Sequence, residues 1–211
     1  MKLLIGIPTI NRADLLNVAL EKYNECYPNI DILIVDNGIN QQINTLNPKL
    51  RLFSQTSNLG VSASWNLICK TAFDEGFTHV LMLNDDIELV LKEQDLLDTI
   101  AKHPIDTLLV QSGTWCVICI PKKVFETIGN FDEQFYPAYF EDDDYERRIK
   151  MQSEVFVKRE PGLDPTLYRN SMTISKEPRL NSNFERNRKL YIAKWGGEPH
   201  KETFGSPYNR G

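Results

Sequence analysis

The sequence predicts a mixed α/β domain, a mostly parallel central sheet flanked by helices, with its ligand site along one edge of the sheet. Three observations carry this. Apolar strand-like runs alternate with stretches of helical periodicity along much of the 211 residues, the pattern that builds a parallel sheet. The polar and glycine signals fall where those runs end, and the crevice outside the carboxyl ends of the strands is where such sheets bind ligands. One run, Val80-Leu81-Met82-Leu83, drives straight into Asn84-Asp85-Asp86 before turning apolar again at Ile87. Carboxylates ending a buried strand need a partner, and a divalent cation with oxygen ligands is the usual one where two or three acids converge. Taken alone, the tripeptide reads more readily as an acidic turn after a strand.

In chain order, Lys2–Ile7 is a short apolar run closed by Pro8 and Thr9, a predicted first strand. Leu15, Leu16, Ala19, Leu20 and Tyr23 then recur at helical spacing within Ala13–Cys26, with Asn11 as the expected cap. Ile30–Val35 is the second strand and exits into Asp36-Asn37-Gly38, where glycine permits a sharp turn. A weaker strand over Leu50–Ser54 precedes Asn58-Leu59-Gly60 and a helix over Ser62–Phe73, and the central strand is Thr78–Leu83. Beyond it the pattern predicts a helix over Gln94–Lys102, strands over Thr107–Gln111 and Trp115–Ile120, and a short helix over Lys122–Ile128. Glu160–Ser182, rich in Pro, Asn and Ser, reads as a long loop. One domain is expected over residues 1–203, with 204–211 as a tail or linker where further domains of a longer polypeptide would join.

Composition is that of an ordinary globular chain, 41% hydrophobic and 25% charged, and at this length roughly 70% of the unfolded surface can be buried without disulfides or zinc. The net charge of -5 argues against a broad nucleic-acid face. Cys116 and Cys119 have the spacing of a redox or zinc pair but lie inside an apolar run without a second Cys or His pair, so they read as buried strand cysteines. With neither a secretory leader nor a membrane span in the sequence, a reducing, cytoplasmic location is expected. The glycine-rich fingerprints of P-loop and Rossmann cofactor sites do not occur.

Asn84-Asp85-Asp86 resembles the Asp-x-Asp motif of GT-A (nucleotide-diphospho-sugar transferase) fold glycosyltransferases of the family 2 type, and four further segments extend the resemblance to about Pro199. Ile7-Pro8-Thr9-Ile10-Asn11-Arg12 is similar to the opening loop that cradles the nucleotide. Val35-Asp36-Asn37-Gly38 places an acid where the family's Asp accepts from the base N–H. Asn58-Leu59-Gly60-Val61-Ser62-Ala63-Ser64-Trp65-Asn66 resembles the segment that opens the helix flanking the donor; Gly60 would allow close backbone approach, and the helix start would offer N–H groups and its dipole to phosphate. Gly129-Asn130-Phe131-Asp132-Glu133 followed by Glu141-Asp142-Asp143-Asp144-Tyr145-Glu146-Arg147-Arg148 resembles the family signature most closely. These acids and the following basic residues also suit a helix macrodipole without catalysis, but four successive acids exceed what a cap needs.

The resemblance implies Asp86 as metal ligand for Mn2+ or Mg2+, with Asn84 and Asp85 on the donor. It implies Pro8, Thr9, Asn11, Arg12, Asp36, Asn58, Gly60 and Asn66 around the nucleotide sugar. Asp142 would be the general base with Glu141 beside it, and Trp115 and Asp144 would face the acceptor. An indole at 115 suits stacking on a sugar and suits a core equally. Phe184–Gly197 is similar to the closing helix with its Tyr-x-x-Lys-Trp-Gly pattern, whose basic residues would face the diphosphate. The family's His in the preceding loop is missing: Leu167-Tyr168-Arg169-Asn170-Ser171-Met172 stands there, Arg169 is the candidate for its phosphate contact, and His79, His103 and His200 do not fit.

The implied activity is metal-dependent transfer of a hexose or deoxyhexose, glucose or rhamnose, from a UDP-sugar to a glycan acceptor with inversion. The compact size also resembles the amino-terminal glycosyltransferase domain of a larger chlorovirus protein, which would place the chain in a host cytoplasm. Two other classes stay open. A sugar-1-phosphate nucleotidyltransferase needs a glycine-rich basic loop after the first strand, and Ile7–Arg12 has no glycine; a non-catalytic nucleotide-sugar-binding module would keep the pocket without turnover.

Overall fold

The computed structural model describes residues 1–168 and 178–210. Its central sheet has seven strands in the order β3-β2-β1-β4-β7-β6-β8, comprising β1 (Leu3–Thr9), β2 (Asp31–Asp36), β3 (Leu50–Ser54), β4 (His79–Leu83), β6 (Thr107–Val110), β7 (Val117–Pro121) and β8 (Phe156–Arg159). The pairings β3/β2, β2/β1, β1/β4 and β6/β8 are parallel, and β7 runs antiparallel to both its neighbours. A two-stranded arm pairs β5 (Ile87–Glu88) with β9 (Leu167–Tyr168).

Strand alternation sorts the core into two layers. Leu3, Ile5 and Ile7 of β1 face α1 (Ala13–Cys26) and α3 (Glu93–Ala101) through Leu16, Leu20, Tyr23, Leu96 and Ile100. On the other face Leu4, Val80, Met82 and Ile118 meet α2 (Gly60–Asp74), α4 (Lys122–Ile128) and α5 (Glu141–Lys150) through Trp65, Ile68, Phe125, Tyr145 and Ile149. A Cβ at Gly6 would run into the Ile68 side chain, so the glycine in β1 lets α2 lie close against the sheet. A third, smaller cluster gathers Phe135 and Phe140 under Tyr191 and Trp195 of α6 (Phe184–Trp195).

α1 leaves β1 on one face and α2 returns to β4 on the other, while the strand order reverses between β1 and β4. That is the switch point at which open α/β sheets leave a crevice at their carboxyl ends.

Several sequence expectations shift. Asn11 does not cap α1; its backbone lies at φ 54°, and its side chain accepts from Ile39 N–H at 3.3 Å. The first helical N–H, of Ala13, is taken instead by Gln41 Oε1 at 2.9 Å. Amide side chains go on to stitch the connection after β2 onto α1: Asn17 binds Gln42 and Asn44, and Asn24 binds Asn47. β8 has no counterpart in the sequence reading because it is a four-residue edge strand, partly exposed and half basic. The loop expected over Glu160–Ser182 contains a 3-10 turn at Pro161–Leu163, β9, and the start of another turn at Pro178–Asn183. Phe204, at the start of the expected tail or linker, is docked: its N–H and that of Thr203 bond to Trp195 O, and its own carbonyl accepts from Arg147. Cys69, Cys116 and Cys119 are free and buried, and burial pushes the Cys119 thiol well up.

Candidate active-site cleft

A cleft of about 320 Å³ opens at the switch point. It is lined by Pro8, Thr9 and Ile10 after β1, Asn37 after β2, Asn58, Gly60, Val61 and Trp65 at the start of α2, Asn84, Asp85 and Asp86 after β4, Thr114, Trp115 and Cys116 before β7, and Pro137, Ala138, Tyr139, Glu141 and Asp142 leading into α5. Residues 130 positions apart in sequence meet here because β1 and β4 are neighbours and α5 packs across the same face.

The Asn84–Asp86 turn is pinned from two sides. Thr9 Oγ1 donates to Asp85 Oδ2 at 2.7 Å, and Asn84 N–H donates to Cys116 O at 3.0 Å, holding the loop before β7 against it. Asp85 and Asp86 are both buried, at 6% and 4% exposure. Among the described residues no group of three or more His, Cys, Asp or Glu side chains is gathered for a metal. A Mg2+-like ion takes one or two carboxylates and completes its shell with substrate phosphate and water, so the hard oxygens of Asp86 and Asp85 fit a cation shared with a diphosphate.

On the opposite wall the chain enters α5 through Tyr139 and Phe140, two consecutive non-glycine residues in the left-handed region at φ 78° and 72°. Such conformations cost free energy and cluster at functional sites. Tyr139 OH reaches Asn181 Oδ1 at 2.6 Å, and its ring meets Phe184 edge-on. Past that bend, Glu141 is buried with Oε2 lacking a hydrogen-bond partner. Burial, and then the Asp142 charge, raise its carboxyl well above the usual range. Asp142 is raised chiefly by burial as well, against the Asp143 N–H bonded to its Oδ1 at 2.9 Å. Asp143, half-buried beside Asp142, Glu146 and Glu202, is pushed up to about 7, again mainly by burial.

Five of the sequence-nominated residues lie outside the lining, each for a visible reason. Arg12 is fully buried and gives Nε and Nη2 to Asp14, leaving Nη1 buried without a hydrogen-bond partner. Asn11 is turned toward Ile39. Asp36 accepts from Gly38 N–H at 2.8 Å and from the Gln41 amide. Asn66 holds Phe131 by its N–H (2.8 Å) and carbonyl (3.0 Å), so it bolts α2 to the Gly129–Phe135 segment. Asp144 is 0% exposed; its oxygens bind Arg148, Lys194 and the Trp195 indole, which leaves nothing to offer an acceptor.

Two further expectations change. The first N–H groups of α2 are not open to phosphate: Leu59 N–H bonds Asn37 Oδ1 (2.9 Å), Gly60 N–H bonds Asn58 Oδ1 (2.8 Å) and Val61 N–H bonds Pro137 O (2.7 Å). Gly60, at φ 80°, serves this packing, since a Cβ there would sit 2.9 Å from Pro137 O. The basic residues of α6 do not line the cleft either. Arg186 holds the carbonyls of Gln134 and Tyr136, Arg188 pairs with Glu198, and Lys194 bridges Asp132 and Asp144. Arg169 lies outside the described residues.

Asn37 escaped the sequence reading although it ties the site together. Its N–H bonds Thr9 O, its Oδ1 takes Leu59 N–H, and its Nδ2 bonds Ser64 Oγ at 2.9 Å. Its adjacency to Asp36 at a strand exit was the available signal. Tyr139 was visible as part of an aromatic stretch, and Trp65, named only within the Asn58–Asn66 segment, packs edge-on against Phe131 while also lining the cleft.

The fold has counterparts among solved structures. S. aureus TarS superposes with a TM-score of 0.56 at 15% identity over 75% of this chain and 35% of that one. A second TarS structure, of residues 1–349, gives 0.56 at 14% identity over 75% of this chain and 58% of that one. A cytidylyltransferase from Leptospira borgpetersenii gives 0.52 at 11% identity, covering 75% and 76%. At these identities the likeness is one of fold, and the chain spans about a third to three fifths of the TarS chains. No curated protein sequence matches the chain. Among the described residues no helix is long and apolar enough to cross a membrane. The family model described as "Glycosyl transferase family 2" matches residues 4–113, a little over half of the sequence and the part that carries β1, β2, β4 and the Asn84–Asp86 turn, and the chain belongs to that family.

Proposed function

We propose that the chain transfers a hexose or deoxyhexose, glucose or rhamnose, from a UDP-sugar to a glycan acceptor, with inversion at the anomeric carbon. The observation that carries this reading is the meeting, across one cleft at the sheet's switch point, of the buried acids Asp85 and Asp86 with Glu141 and Asp142. One pair sits where a donor diphosphate would be gripped, the other where an acceptor hydroxyl would be deprotonated. An acceptor hydroxyl is a poor nucleophile, so a carboxylate must take its proton as it attacks. Asp142 has that place, and burial makes it more basic than an ordinary carboxylate.

Asp86, with Asp85 beside it, would hold Mn2+ or Mg2+. A cation there supplies positive charge against the departing diphosphate. Pro8, Thr9 and Asn37 would border the nucleoside, and Asp36, one residue behind Asn37, would reach the base once Gln41 releases it. Nucleotidyl transfer is not favoured, because the loop after β1 carries no glycine to wrap a triphosphate.

The test is calorimetry with UDP. Wild type should bind UDP more tightly with Mn2+ than without, and Asp86→Ala, unchanged in circular dichroism, should lose that difference. Equal affinity with and without Mn2+ in both proteins refutes the assignment.

A further inference from the structure

One wall of the cleft is held from behind. The Trp115 indole N–H donates to Glu146 Oε2 at 3.1 Å. The same oxygen accepts from Arg159 Nη2 at 3.0 Å, and Oε1 accepts from Lys150 Nζ at 2.6 Å. Glu146 is buried and sits one turn beyond Asp142 on the same face of α5. Tyr145 meets Trp115 edge-on with 6.5 Å between ring centroids, constraining the indole plane from a second direction. A buried carboxylate is costly unless its oxygens are filled by donors. Lys150 and Arg159 already supply opposite charge to Glu146 and hold it below the range that its burial would otherwise impose. The indole adds no charge to that arrangement, so what the third bond specifies is the placement of a cleft-lining ring.

We propose that Glu146 is a positioning residue that locks the Trp115 indole as the wall against which an acceptor sugar ring packs beside Asp142. The lock sets affinity for the acceptor and leaves donor affinity alone. This rests on the glycosyl-transfer reading above. Aromatic faces bind sugar rings through their apolar C–H surface, and a ring fixed beforehand binds more tightly than one that must be ordered on contact.

The full chain, labelled with [15N]tryptophan, presents three indole N–H groups, and Trp115→Phe identifies the one in question. The sugar probes are methyl β-D-glucopyranoside and methyl α-L-rhamnopyranoside, with UDP and Mn2+ as the donor-side control. Glu146→Gln keeps an acceptor oxygen, so slow exchange of the Trp115 indole N–H and sugar affinity within about twofold of wild type are expected. In Glu146→Leu, indole exchange should quicken by about tenfold or more and sugar affinity should fall about tenfold, the loss of one hydrogen bond to a charged group, with UDP affinity unchanged. Glu146→Asp keeps the charge but is one methylene short of Trp115; it should behave like the leucine variant and decides the matter if that variant does not fold. An unaltered Trp115 exchange rate, or unaltered sugar affinity, in a folded Leu or Asp variant overturns the proposal. Failure of the wild type to bind UDP instead overturns the proposed UDP-sugar transfer on which the acceptor role rests; indole exchange needs no nucleotide, so the two failures are distinguishable.

Discussion

Asp142 and Glu141 are adjacent in sequence, and their surroundings differ. Asp142 faces the cleft half-buried, and burial raises its carboxyl, so its base form persists only down to a higher pH limit than that of a free aspartate and disappears as pH falls through that raised value. The acidic limb of kcat/KM for transfer should therefore lie above the ordinary aspartate value, and Asp142→Asn should lower transfer by roughly 10²–10⁴-fold while UDP affinity, by calorimetry, stays as in wild type. Glu141 is a buried acid with an oxygen left unbonded. Because its folded carboxyl is raised above the unfolded value, the folded state binds the extra proton, and stability falls as pH rises through that interval. Glu141→Gln should then melt at a higher temperature than wild type at pH 8, with the gap closing near pH 4; a lower melting temperature at pH 8 would show that Glu141 is stabilised by partners of its own. The acids were legible from sequence as a run of four, but the different surroundings of each were not. Asp144, which the signature places near an acceptor, is turned inward by Arg148, Lys194 and Trp195, and two of those three partners stand about fifty residues away along the chain.

Periodicity served best for the elements with one buried face. α1, β3 and α4 run over Ala13–Cys26, Leu50–Ser54 and Lys122–Ile128 as their apolar spacing predicts. It missed β8, whose exposed basic positions carry no apolar signal, and β5 and β9, two residues each. The start of α2 misled in another way. Asn58-Leu59-Gly60 has the composition of an anion-binding helix start, yet its N–H groups go to Asn37, Asn58 and Pro137, partners that a linear reading cannot supply. Gly60 is accordingly a packing residue. At φ 80° and with Pro137 O 2.9 Å from any added Cβ, Gly60→Ala should cost about 1–2 kcal/mol for the left-handed backbone and more for the clash, measured as a lowered urea midpoint. An unshifted midpoint would mean that the Tyr136–Pro137 segment yields freely.

Over the whole molecule, the half that matches the family ends at Ser112–Gly113, and within the remainder charges tie α5 and α6 to the segment that precedes them. Lys194 of α6 reaches Asp132 at 2.7 Å and Asp144 at 2.6 Å, while Arg148 holds the carbonyls of Ile128 and Asn130. Removing the one ammonium that closes this network leaves two carboxylates short of a partner, so Lys194→Met should destabilise by about 3–5 kcal/mol, read from denaturant unfolding; a loss below ~1 kcal/mol would mean that water fills the gap. The two sides of the cleft are thus secured by different forces. On the side of β1 and β2, apart from Asp36, the connection after β2 is stitched to α1 by the neutral amides of Asn11, Asn17, Asn24 and Gln41. On the side of α5, Trp115 is steadied through Glu146 by Lys150 and Arg159, whose side chains are 45% and 42% exposed. Mobile ions screen such half-exposed charges and leave amide bonds nearly untouched. Ionic strength is therefore a lever on the ion pairs alone: as salt rises, the hold of Lys150 and Arg159 on Glu146 slackens, while the Trp115–Glu146 hydrogen bond and the amide bonds along α1 persist.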